Sequence, residues 1–130
     1  MAFLVHMADD GRTPAIEYQP AGAITPKVGM ALAFSNGNLV AATGTTKPEY
    51  ICMTEKAAAL TAGELIPVIR VNGDMVFETE NTAAFTSIKK GAKVTIATDG
   101  LGVTATTTDG VAEIVGMEGT AIGSCVYVRF

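Results

Sequence analysis

Apolar and polar residues alternate most regularly in the stretch "VGMALAFSNGNLVAATG" (residues 28–44), where Val28, Met30, Leu32 and Phe34 are interleaved with Gly29, Ala31, Ala33 and Ser35. A period of two puts every second side chain on one face of an extended strand. Asn36-Gly37 then interrupts the run before Leu39, Val40 and Ala41. Both central residues of a type I′ turn need positive φ, which Asn tolerates and Gly adopts freely, so the stretch predicts a β-hairpin. The phrase returns in "GELIPVIRVNGDMVFETE" (residues 63–80), with Asn72-Gly73 at the expected turn. It returns again in "GAKVTIATDGLGVTATT" (residues 91–107), with Asp99-Gly100. Pro67 has no N–H for a ladder, so the second copy is expected to be an edge strand or to begin after the proline.

Two further strand-like runs follow. "GVAEIVG" is short; in "GSCVYVRF", Val126, Val128 and Phe130 alternate with Cys125, Tyr127 and Arg129. Gly29, Gly63, Gly91 and Gly123 open these units at intervals of roughly thirty residues, as if one small sheet-forming unit were reused. Helical signals are sparse. "TEKAAALTAGE" (residues 54–64) and "ENTAAFTSIKKG" (residues 80–91) could each form a helical turn or two, or a loop. The prediction is an all-β fold, a small β-barrel or a sandwich of hairpins.

Residues 1–27 do not share the pattern and are expected to form an extended N-terminal arm ahead of a single β domain at 28–130. Pro14, Pro20 and Pro26 restrict the residues before them and break any central ladder. Yet Phe3, Leu4, Val5, Met7, Ile16, Tyr18 and Ile24 are apolar, and leaving each large side chain in water forgoes roughly 1.5–3 kcal/mol. The arm needs a surface to lie on, either its own barrel or a neighbouring chain.

Composition narrows the function. The chain has 130 residues, the size of one domain with one core; 48% are hydrophobic, but only 6% are aromatic and none is Trp, so the core is built from small pieces. The net charge of −4 and the scattered cations, apart from Lys89, Lys90 and Lys93, give no surface for nucleic acid. No stretch approaches the roughly 20 apolar residues of a membrane-spanning helix, and the start lacks a basic leader and apolar run, so neither membrane insertion nor secretory export is expected. Cys52 and Cys125 lie in apolar runs and suit free thiols better than a disulfide framework.

Candidate chemistry is thin. "DGLGVTA" (residues 99–105) has the glycines of a dinucleotide loop, but "VTATTT" follows where a helix N-terminus would be needed. "GTTKP" (residues 44–48) has phosphate-loop residue types without the spacing. His6, the single histidine, lies near Asp9 and Asp10, an incomplete metal shell, and is far in sequence from either cysteine. No catalytic residue, metal site or cofactor is expected, and the chain is not expected to be an enzyme.

The arm with "DGR" and "EYQPAGAI", the glycine-punctuated β domain, the acidic balance and the final "VYVRF" together resemble the bacteriophage head decoration (capsid cement) proteins. That resemblance implies a structural protein, made in the host cytoplasm, that sits as a homotrimer on the outer surface of the virion and stabilises it by bridging subunits of the major capsid protein. It further implies that residues 2–20 carry the contact, with Phe3, Leu4, Val5 and Tyr18 as apolar anchors and Arg12 as a polar one. The alternative is a small β-barrel interaction module or accessory subunit of a cellular complex, binding a partner along a sheet edge.

Overall fold

The computed structural model describes residues 2–8 and 14–130. Ten strands follow one another: β1 (Leu4–Ala8), β2 (Ile16–Ala21), β3 (Ala31–Ser35), β4 (Asn38–Ala41), β5 (Tyr50–Cys52), β6 (Glu64–Arg70), β7 (Met75–Glu80), β8 (Lys93–Val94), β9 (Ala112–Met117) and β10 (Cys125–Arg129). They form a closed barrel in the order β2-β4-β3-β5-β6 and a five-stranded sheet in the order β1-β7-β10-β9-β8. The fold is all-β, with no helix among the described residues. Residues 54–63 and 81–92 are loops, and the second buries Phe85 and Ile88 under the sheet.

The first hairpin forms as its sequence predicts. Asn36 and Gly37 have φ of 55° and 84°, and Ser35 pairs with Asn38 across the turn from β3 to β4. The third phrase also folds back, through an antiparallel bridge of Ile96 with Val103 and a 2.6 Å contact between the hydroxyls of Thr95 and Thr104. The second does not. β6 pairs with β2 and β5, whereas β7 pairs with β1 and β10, so Asn72-Gly73 is the crossing from barrel to sheet rather than a hairpin turn. An Asn-Gly pair favours a local reversal; which neighbours the flanking strands then choose is decided by the apolar faces they bury.

Pro67 lies within β6, neither on an edge nor at a strand start. Its carbonyl accepts the Met53 N–H at 3.0 Å, so its own nitrogen points to the same side, just past the end of β5. No ladder donor is required there.

Two apolar clusters replace the single core. Leu32, Leu39, Tyr50, Cys52, Leu60, Ile66 and Val68 fill the barrel. A larger cluster lies between barrel and sheet, where Ala31, Ala33, Ile51 and Ile69 meet Phe77, Val94, Ile114, Val126 and Val128. Strands β3, β5 and β6 therefore bury both faces, and the alanines of β3 let the barrel wall approach the sheet closely. Backbone hydrogen bonds tie the layers: Gly44 and Ile96 exchange a pair at 2.8 and 3.0 Å, and the Ala31 N–H reaches the Gly100 carbonyl at 2.9 Å.

The described residues of the 1–27 segment do not stand apart from the rest of the chain. β2 is a barrel wall, paired along its whole length with β6, and β1 is the sheet's edge strand on β7. Phe3 is only 1% exposed; its N–H donates to the Gly29 carbonyl at 2.9 Å, and its ring meets Phe130 at 5.3 Å. Pro14 precedes β2, Pro26 follows it, and Pro20 lies within it opposite Leu65; Phe3 finds the protein's own core to fill, while Ile16 and Tyr18 stay exposed on the outer face of β2.

Candidate functional site

The sequence-predicted anchors separate into two groups. Phe3 points into the core and is closed to any partner. Leu4, Val5 and Tyr18 are 46%, 37% and 64% exposed, while Arg12 lies outside the described residues.

Leu4 and Val5 border an apolar groove of about 360 Å³ at the seam between the two layers. Ile16, Val28 and Met53 complete its rim, and Phe3, Ile51 and Ile69 form its floor. The groove exists because β1 hangs on the sheet by one side only: it pairs with β7, and no other described strand continues the ladder beyond it. Among the described residues its outer backbone groups have no ladder partner, the situation most proteins blunt. Ile16 and Tyr18 lie on one face of β2, opposite Ile69 and Pro67 of β6, and Leu65 at 61% exposed extends the same face. An apolar strip thus runs from the groove along the outer wall of the barrel. Scattered exposed apolar residues are ordinary; a contiguous strip that begins in a groove is a recognition feature.

Leu65, Met53 and Val28 belong to this surface; the sequence reading set Val28 among the alternating apolar positions of the first hairpin and did not single out the other two. The available signal was the alternation in "ELIPVIR", which sets Leu65 against Ile66, but apolar residues on both faces of that strand left inside and outside undistinguished.

Next to the strip, Arg70 closes the barrel mouth. Its Nε and Nη2 donate to the Glu17 carboxylate at 3.1 Å each, and its guanidinium lies 5.1 Å from the centre of the Tyr50 ring. The Arg70 hydrogen bonds hold the Glu17 carboxyl below its ordinary range. Glu17 and Arg70 thereby screen the Tyr50 ring from the outside.

On the outer face of the sheet, His6 Nδ1 is 3.8 Å from Glu78 Oε2 and its ring lies 4.5 Å from that of Tyr127, tilted by 46°. The Tyr127 hydroxyl donates to Glu118 Oε1 at 3.1 Å, and this bond to a carboxylate pushes the phenol up to about 12. Asp9 and Asp10, the other members of the His6 cluster read from sequence, lie outside the described residues. Cys52 is buried and Cys125 partly buried, both as free thiols. Burial pushes both thiols up, away from the thiolate that nucleophilic chemistry requires. Among the described residues no group of three or more His, Cys, Asp or Glu side chains could hold a metal. The loop at Asp99-Gly100 is an Asx turn, Leu101 N–H to Asp99 Oδ1 at 2.9 Å, followed by bends and the isolated bridges of Val103 rather than a helix. No protein-family model matches the chain, and no curated protein matches it significantly in sequence.

Proposed function

We propose that the protein is a non-enzymatic binding element that attaches to the outside of a viral capsid and stabilises it by bridging subunits of the major capsid protein, as the resemblance to bacteriophage head decoration proteins implies. The observation that supports this reading is the apolar groove with its adjoining strip, set beside the unpaired backbone edge of β1. Such a surface offers an extended partner segment both hydrogen bonds and side-chain pockets. A rigid two-layer body suits a clamp, and many copies on one shell multiply a modest individual affinity. A homotrimer is the assembly this reading carries.

Leu4→Glu combined with Ile16→Lys tests it, because both side chains are exposed and their replacement leaves the core intact. Cosedimentation with empty capsids should fall at least tenfold while the unfolding midpoint stays within a degree or two. Undiminished cosedimentation would remove the groove from the interface, and absence of binding by the unmodified chain would remove the capsid. The second reading, an interaction module for a cellular partner, also rests on the free edge of β1. It predicts binding to an isolated extended peptide without any shell.

A further inference from the structure

A second depression, of about 310 Å³, opens at the opposite edge of the sheet from β1, and its chemistry is that of an anion site. Three cations from separate parts of the chain line it: Lys47 from the β4–β5 loop, Lys93 from β8 and Arg129 from β10. Glu113 is its one acidic side chain and stands across the ladder from both Lys93 and Arg129. The ion pairs among the described residues join His6 to Glu78, Lys56 to Glu64 and Arg70 to Glu17; none engages these three cations. Arg129 Nε is moreover enclosed by protein with no acceptor in reach, alone in this among the described side chains. A guanidinium that has lost part of its hydration without a hydrogen-bonded carboxylate in exchange attracts an oxyanion more strongly than one in open water. Even with Glu113 and a carboxylate on Phe130 counted against the three cations, one positive charge remains in excess.

The placement is built into the backbone. Gly110 lies so close to the Lys93 carbonyl that any Cβ there would collide with it, which fixes the start of β8 against the loop before β9. Lys93 is thereby aligned with Arg129 across Glu113.

We propose that this depression binds a small oxyanion, a phosphate or a carboxylate, through Lys47, Lys93 and Arg129. The guanidinium supplies the forked donor and the two ammonium groups supply neutralising charge. The site lies apart from the apolar groove and does not depend on the function proposed for it.

Titration of the labelled full chain with inorganic phosphate, and in a second arm with acetate, at constant ionic strength against chloride, reads the site directly. Saturable amide shifts are expected at Lys93, Val111, Glu113 and Arg129, with Lys89 and Lys90 unmoved. The phosphate arm saturating alone would identify a phosphate ligand, and the acetate arm alone a carboxylate such as an acidic side chain presents. Lys47→Met with Lys93→Met should weaken binding at least tenfold, and Glu113→Gln should tighten it several-fold. Shifts that do not saturate in either arm, binding unchanged in the double variant, or weaker binding in a folded Glu113→Gln would each overturn the proposal.

Discussion

Phe3 and Leu4 are neighbours with opposite fates. Phe3 fills the space between barrel and sheet, so Phe3→Ala should cost about 3–5 kcal/mol, read as a lower urea midpoint. Leu4 is nearly half exposed, and Leu4→Ala should leave the midpoint almost unchanged. Equal losses at both positions would contradict the packing. Gly29 is a tighter constraint, since its φ of 84° is unfavourable for any side chain and a Cβ would run into Ala2. Gly29→Ala should therefore destabilise by at least ~1 kcal/mol by loosening the contact that holds Phe3. At Tyr127 the bonded phenol is the favoured form, so the folded pKa is raised and the stabilisation it gives is complete below the ordinary value of 10. It is lost as pH rises through about 12. Absorbance at 295 nm should show a tyrosine step there that Tyr127→Phe removes and Glu118→Gln moves downward. Glu17 has the opposite sign: its lowered pKa gives stability above the ordinary 4.5 that is lost as pH falls through the folded value.

At the scale of elements, strand content and the tight turn at Asn36-Gly37 were legible because they depend on residues close in sequence. Alternation marked β3 and β10, and the buried Val126 and Val128 are the ones it selected. Partner choice was not legible. "RVNGDMV" reads as a hairpin locally, yet Ile69 is needed against the sheet and Phe77 within it, and the two strands part. Of the anchors read from sequence, Leu4, Val5 and Tyr18 lie exposed while Phe3 is buried, because hydrophobicity alone does not distinguish a side chain left for a partner from one the chain uses itself. Residues 2–20 include all of β1 and five of the six residues of β2, so their deletion should not leave a folded domain. The barrel would lose a wall, and the cooperative transition in circular dichroism should disappear. A truncated chain that still melts sharply would mean that β6 finds another neighbour.

For the whole molecule, two clusters invite the idea of two units that melt separately. The walls argue otherwise: Ala31, Ile51 and Ile69 face one cluster, and Leu32, Tyr50 and Val68, adjacent to them on the same three strands, face the other. Exposing either cluster strips one side from β3, β5 and β6. Calorimetry should give a single transition whose van't Hoff and calorimetric enthalpies agree, and Leu39→Ala, inside the barrel, should lower the melting of the sheet as well.

The shared wall also limits how this sequence can change over generations. An ordinary core position answers to one set of neighbours, and a larger side chain there can be accommodated by a smaller one opposite. Ala31 and Ala33 hold the distance between two layers, so growth at either must be compensated on the sheet without tilting Leu32 out of the barrel. Mutational histories on the two sides are therefore bound together, and diverged copies of this fold should vary first at its rims and loops and last along the three strands that both interiors use.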